Sequence, residues 1–153
     1  MPTAQIYRYQ PAIIPGPQGH DPRPAGPDGE DYRDTLTDLC ELDGWRYVAV
    51  PDGVTPELPA EITTWEAVAV TPELRESIKL ASPHAQLIAQ QVIDRIRAKY
   101  PLDEELYFAR IAVGALQGAY TLLDGEAEAL TQYQADVEAA SEWGRQARAE
   151  LGL

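Results

Sequence analysis

The sequence predicts an α+β fold, and a change of pattern near Thr71 supports this prediction. Ten of the 13 prolines and the β-rich runs precede that residue, whereas proline-capped helical patterns follow it. We therefore divide the chain into three segments. They are an extended proline-rich arm (1–31), a small antiparallel β segment with a short helix (32–70), and a bundle of three to four helices (71–153).

The N-terminal arm is dominated by proline and glycine. Residues 4–14 are predicted to be extended, and Pro11 restricts such a segment to an edge or an irregular strand. Residues 14–32, IPGPQGHDPRPAGPDGEDY, contain Gly-Pro-x-Gly at 16–19 and at 26–29. The spacing between these phrases breaks the triplet register of collagen. A disordered linker is an alternative, but linkers join two folded bodies and only a short segment precedes this one. We favour an arm that contacts a partner.

The middle segment shows one helical and two β patterns. Residues 32–43, YRDTLTDLCELD, place Leu36, Leu39 and Cys40 on one face and predict a short helix. Residues 45–51, WRYVAVP, predict a strand because aromatic and β-branched residues alternate. The β-rich run 62–70, ITTWEAVAV, is expected to pair with that strand.

Four helices are predicted after Val70. Thr71-Pro72 and Ser82-Pro83 each combine an N-cap residue with a proline at the first helical position, and predict helices over 72–81 and 83–100. Two further helices, over 106–123 and 130–151, are expected to form an antiparallel hairpin with a short turn at Gly125. Their apolar residues recur every three or four positions. We interpret both seams as core contacts within the chain, although some of this surface can also serve a homo-oligomer.

The charge of the chain limits its partners. The 25 acidic residues outnumber the 12 basic ones, which gives a net charge of −13 and a pI near 4.4. Binding to nucleic acid phosphates or to an anionic membrane surface requires a positive face, so neither partner is expected. The apolar stretch 111–123 is too short to span a bilayer. No basic region followed by an apolar run opens the sequence, and we expect synthesis in the cytoplasm without a signal peptide.

Residues with catalytic or metal-binding chemistry are sparse and scattered. The sequence has no phosphate-binding loop and no dinucleotide-binding glycine pattern. His20 and His84 do not stand at the spacing of a zinc motif, and nothing marks the single cysteine, Cys40, as an activated nucleophile. The acidic residues at 28–31 lack the spacing of a calcium loop. We therefore predict a protein that is not an enzyme, with no catalytic residue, cofactor or metal site.

A partner surface is the remaining candidate site. We expect the backbone of residues 5–9, QIYRY, to pair with a neighbouring subunit, with the adjoining prolines preformed for binding. Trp143 lies one position off its helical seam and is a second candidate, whereas Trp45 and Trp65 are expected in the core. The predicted partner-binding residues are Ile6, Tyr7, Tyr9, Ile13, Ile14, Pro15, Pro17 and Trp143.

Three phrases give the chain a resemblance to small proteins of phage and prophage tail modules. They are the run beginning WRYVAVPDG at residue 45, the phrase IRAKYPLDEE at 96–105, and the ending SEWGRQARAELGL. The resemblance covers roughly residues 44–153. It implies a tail tip, baseplate or fibre-attachment protein that binds other phage tail proteins, in the host cytoplasm during assembly and then in the virion tail. A tail fibre assembly chaperone is one alternative, and an acidic inhibitor of a host defence protein is another.

Overall fold

The computed structural model describes residues 4–26 and 36–153, which form a four-stranded antiparallel sheet and four helices. The strands are β1 (Ala4–Tyr9), β2 (Thr37–Leu42), β3 (Trp45–Pro51) and β4 (Glu66–Ala67), in the order β2-β3-β1-β4. The helices are α1 (Pro72–Ala81), α2 (Pro83–Arg97), α3 (Leu102–Leu116) and α4 (Glu126–Glu150). The α+β class predicted from the sequence is confirmed.

Strand β1 lies inside the sheet rather than at its edge. It pairs along its whole length with β3, from Ala4 opposite Pro51 to Tyr9 opposite Arg46, and it pairs on its other side with β4. The predicted edge or irregular strand was wrong because Pro11 lies beyond Tyr9, where the ladder has already ended. The predicted boundary between the arm and the β segment, at residue 31, falls among residues 27–35. These residues are outside the described ones, so the boundary stays a prediction.

The predicted helix over 32–43 is wrong for residues 37–42, which form β2; residues 32–35 lie outside the described residues. The physical reason is the turn that follows. Asp43 and Gly44 have φ angles of 50° and 77°, the positive values of a two-residue hairpin turn that directs the chain back along itself. Strand β2 consequently pairs with β3, with an irregularity between Asp38 and Cys40. That irregularity disturbs the alternation, so the apolar residues matched a helical period.

The strand predicted over 45–51 is confirmed as β3. The prediction for the second β-rich run, residues 62–70, was wrong both in the length of the strand and in its pairing partner. Only Glu66 and Ala67 of residues 62–70 form a strand, and they pair with Arg8 and Tyr7 of β1. Strand β3 is unavailable to them because β2 and β1 occupy both of its edges.

The chain forms two structural units. The first comprises the described residues up to Ile88 together with Gln146–Leu153. Its sheet is covered on both faces, so it has two cores. One core contains Ile6, Leu39, Tyr47, Ala49 and Ile78, packed against Leu151 and Leu153. The other contains Tyr9, Leu36, Val48, Val50 and Ile62.

Helices α1 and α2 begin where the sequence predicts. The hydroxyl of Thr71 accepts a hydrogen bond from the Leu74 amide at 3.2 Å, which caps α1. Ser82 separates the two helices, and its buried hydroxyl accepts from the Ala85 amide at 3.4 Å. Helix α2 ends at Arg97, three residues before the predicted end.

The second unit, Ala89–Arg145, contains α3 and most of α4. The predicted helix over 106–123 ends earlier, at Leu116, and residues 117–125 connect α3 to α4 instead of a short turn. Gly118, with φ 69°, turns the chain, and the Tyr120 amide donates to the Gly114 carbonyl at 3.0 Å. Tyr120 then packs on Gly114, where a Cβ atom would lie 2.8 Å from the Tyr120 Cβ.

The seam predicted on α4 is confirmed, since Ala140 and Gly144 are its buried residues. The seam predicted as core on α3 is wrong. Phe108 and Ile111 are buried there, whereas Leu106, Val113 and Leu116 are 56%, 52% and 89% exposed. The aliphatic and aromatic residues of α3 lie on several sides of the helix, so their periodicity did not identify the buried face. Aromatic contacts decide it: Phe108 stacks on Tyr133 with ring centroids 4.8 Å apart.

Candidate partner-binding site

An apolar loop, residues 13–20, is the best-defined candidate site in the first unit. Its ends are joined by a hydrogen bond from the Ile14 amide to the His20 carbonyl, at 3.0 Å. Within it, the Gly19 amide donates to the Gly16 carbonyl at 2.9 Å, which closes a β-turn over the first Gly-Pro-x-Gly phrase. We call residues 13–20 the Ile13–His20 loop.

Glycine is required for the closure of this loop. Gly16 has a φ angle of 137°, which side chains disfavour. A Cβ atom on Gly19 would lie 2.5 Å from the Ile14 carbonyl oxygen. The loop therefore has a defined conformation that depends on two small residues.

The loop presents apolar side chains to solvent. Ile13 is 65% exposed and Ile14 39% exposed, and Pro15 and Pro17 are exposed beside them. The structure therefore brings together four of the eight residues predicted to bind a partner.

Residues 21–26 fasten the loop to the sheet. Asp21 accepts a hydrogen bond from the buried guanidinium of Arg46 at 2.8 Å, and Arg23 forms a salt bridge with Asp38 of β2. Ala25 exchanges backbone hydrogen bonds with Glu57, at 2.7 and 2.8 Å. Residues 21–26 of the proline-rich stretch thus belong to the first folded unit.

Arg46 is central to this attachment. Besides Asp21, it donates to the Tyr9 hydroxyl at 3.2 Å and approaches Glu41 at 3.4 Å. Burial alone would lower the pKa of Arg46, but the hydrogen bonds to Asp21 and Tyr9 outweigh it and raise that pKa. Burial alone would raise the pKa of Asp21. The hydrogen bond and the charge of Arg46 outweigh burial, so the pKa of Asp21 is lowered. Both groups stay ionised at neutral pH.

The other predicted partner-binding residues lie within the folded units. Ile6 and Tyr9 are 2% and 0% exposed, in opposite cores of the sheet. Tyr7 stacks on Trp65, with ring centroids 4.9 Å apart. Trp143 is half-buried in the second unit, and the Arg95 guanidinium lies 4.0 Å from its ring centroid.

The backbone of β1 also forms its pairs within the chain, with β3 and β4. Residues 5–9 thus make inside the chain the strand pairing that we expected with a neighbouring subunit.

Cys40 lies beside a pocket of about 260 Å³ that Arg23 and Arg46 also line. Burial, and secondly the nearby Asp38, raise the pKa of Cys40 to about 11. A thiol with this pKa is protonated at neutral pH and is a poor nucleophile. The two arginines of the pocket bind carboxylates of the chain.

The second unit contains a polar cluster centred on Asp136 of α4. Asp136 accepts from the Lys99 ammonium and from the Tyr100 hydroxyl, each at 2.7 Å. These contacts, Lys99 first, lower the pKa of Asp136 to about 2. A carboxylate with this pKa is a weak base, so the cluster is suited to holding α4 rather than to proton transfer.

Metal-binding side chains are not grouped in the part of the chain that is described. His20 and His84 are both exposed, and no set of three histidine, cysteine, aspartate or glutamate side chains is arranged to hold a metal ion there. Within the same residues, no helix has both the length and the apolar character needed to cross a bilayer.

The exposed apolar face of α3 was visible in the sequence as the three- and four-residue spacing of aliphatic residues. We assigned that spacing to the core, with a homo-oligomer contact for part of the surface as the alternative. No protein-family model, curated protein or solved structure matches the chain.

Proposed function

We propose that the chain is a non-enzymatic structural or accessory protein of a phage tail, at the tail tip, the baseplate or the fibre attachment. It docks on a neighbouring tail protein through the Ile13–His20 loop. The observation that supports docking is the exposure of Ile13 and Ile14 on a loop whose conformation is set by its own hydrogen bonds. The assignment to a phage tail rests on the sequence resemblance over residues 44–153.

The loop is suited to binding because contacts within the chain already hold it in one conformation, so it loses little conformational entropy when it binds. An apolar segment that is flexible before binding loses conformational entropy when it binds. Here Pro15 and Pro17 restrict the backbone, the Ile14–His20 hydrogen bond closes it, and the Asp21–Arg46 ion pair anchors it. Burial of the two isoleucines against an apolar pocket of the partner would then provide the affinity.

This proposal moves the contact from β1 to the loop. Point substitutions in the loop are the appropriate test, because deletion of residues 1–30 would also remove strand β1 from the sheet. The protein would reside in the host cytoplasm during assembly and in the tail of the finished particle.

Purified particles of the phage that encodes the chain provide the test. Mass spectrometry should find the protein in wild-type particles. The double variant Ile13→Asp/Ile14→Asp should fold, as judged by circular dichroism. Its amount in purified particles should fall by about tenfold or more relative to the wild type. Leu58→Asp is the matched control, since Leu58 is a comparably exposed aliphatic residue (40%) of the same unit.

The outcomes separate the alternatives. A protein present in infected cells but absent from wild-type particles would overturn the virion assignment and favour the assembly chaperone. Salt-sensitive capture of a basic host protein, without incorporation, would favour the acidic inhibitor suggested by the net charge of −13. Normal incorporation of the loop variant would exclude the loop as the docking site.

A further inference from the structure

The exposed face of α3 carries a regular aliphatic stripe. Its members, Leu102, Leu106, Ala109, Val113 and Leu116, follow each other at steps of four, three, four and three residues, and all are exposed. This spacing is that of the a and d positions of a coiled coil, along a helix about 22 Å long. We call these five residues the α3 stripe.

The α3 stripe is distinct from the side of α3 that packs within the second unit. Phe108 and Ile111 are buried on that other side, and Phe108 stacks on Tyr133 of α4. No described residue covers the α3 stripe, and contiguous exposed apolar surface of this kind marks interaction sites.

The residues outside the described ranges do not fit as that partner. Residues 1–3 are MPT and residues 27–35 are PDGEDYRDT, which contain five charged residues and no isoleucine, leucine or valine. A second copy of the chain, by contrast, carries a matching aliphatic stripe.

We propose that the α3 stripe pairs with the same stripe of a second copy of the chain, in an antiparallel two-helix contact with twofold symmetry. A stripe with regular a and d spacing is complementary to itself, which is the requirement of a twofold interface. The inference does not depend on the proposed function.

The charges beside the stripe give the orientation. Asp103 and Arg110 occupy equivalent flanking positions one heptad apart, and neither forms a salt bridge with another described residue. In an antiparallel helix pair, equivalent flanking positions of the two helices face each other. Asp103 of one copy therefore meets Arg110 of the other, and the twofold symmetry forms this contact twice. A parallel pair would instead place Arg110 beside Glu105, whose carboxylate already binds Arg97 at 3.3 Å.

Two heptads are short for a coiled coil, so we expect a weak, concentration-dependent dimer. Analytical ultracentrifugation of the full chain over a roughly hundredfold concentration range should show a monomer–dimer equilibrium. Leu106→Glu should raise the dissociation constant by about a hundredfold or more, because it places a charge in the contact. Leu80→Glu is the control, since Leu80 is 77% exposed on α1, outside the stripe.

Charge reversal tests the orientation. Asp103→Arg and Arg110→Glu should each weaken the dimer by about fivefold at low salt. The double variant should restore wild-type affinity, since each reversed residue then meets its reversed partner.

Three outcomes would overturn the proposal: a folded monomer at every concentration, equal dissociation constants of the Leu106→Glu and Leu80→Glu variants, or a double variant that dimerises no more tightly than Arg110→Glu alone. The last result is the one expected for a parallel pair, in which residue 110 faces Glu105 and the change at Asp103 restores nothing. Circular dichroism of each variant distinguishes loss of dimer from loss of fold.

Discussion

The Nη1 atom of Arg46 lies 2.8 Å from a carboxylate oxygen of Asp21, and this ion pair fastens residues 21–26 to the inner strand β3. The Arg46 side chain is only 8% exposed, and Asp21 approaches it from the segment that leads out of the Ile13–His20 loop. Loss of the pair would leave a buried guanidinium with fewer acceptors.

The first prediction concerns this ion pair. Asp21→Asn should lower the free energy of unfolding by about 2 kcal/mol in urea denaturation, because a charge-assisted hydrogen bond to a buried group is lost. Glu61→Gln, a change at an exposed carboxylate of the same unit, should alter it by less than about 0.5 kcal/mol. Equal effects of the two changes would contradict a structural role for the pair.

The pH dependence of the same pair has a definite sign. Because folding lowers the pKa of Asp21, its stabilisation is complete above the ordinary carboxyl pKa near 4 and is lost as the pH falls through the lower folded value. The difference in unfolding free energy between the wild type and Asp21→Asn should therefore shrink as the pH falls below the ordinary carboxyl pKa near 4.

The second prediction concerns Cys40. With a pKa of about 11, its thiol should react with iodoacetamide at pH 8 on the order of a hundred times more slowly than a free cysteine. The rate should rise up to about pH 11. The urea-unfolded chain serves as the internal control, since it should react at the ordinary rate. Fast labelling of the folded chain would reopen the question of a nucleophilic cysteine.

The third prediction concerns Asp136. Its carboxyl should titrate near pH 2 by NMR, and Lys99→Met should raise this pKa more than Tyr100→Phe does, since Lys99 has the larger effect. The contribution of Asp136 to stability should be complete above about pH 4 and disappear as the pH falls through 2. A wild-type titration near pH 4 would show that the two contacts are not formed in solution.

The fourth prediction concerns the β2–β3 turn. Gly44→Ala should destabilise the chain by about 1 kcal/mol, because Gly44 has a φ angle of 77°. Asp43→Asn is the matched control: asparagine tolerates the φ angle of 50° at that position and should change stability by less than about 0.5 kcal/mol. If Gly44→Ala is as stable as the control, the turn is not the one described.

The candidate loop was predictable only in part. The isoleucines beside prolines are visible in the sequence, and they indicated a contact region. The sequence did not show that Gly19 closes the loop against Ile14, nor that Asp21 reaches Arg46, 25 positions along the chain. The Asp21–Arg46 contact depends on a sheet that joins distant segments of the chain.

Local patterns by themselves determined the α+β class, the starts of α1 and α2, strand β3, and the buried seam of α4. These features depend on capping, proline geometry and periodicity, which act over a few residues. Tertiary structure alone decided the central place of β1, the strand character of β2, and the outward direction of the α3 stripe. In each case several local arrangements had similar energies, and long-range partners selected one: β3 and β4 for β1, the hairpin for β2, and Tyr133 packing on Phe108 for α3.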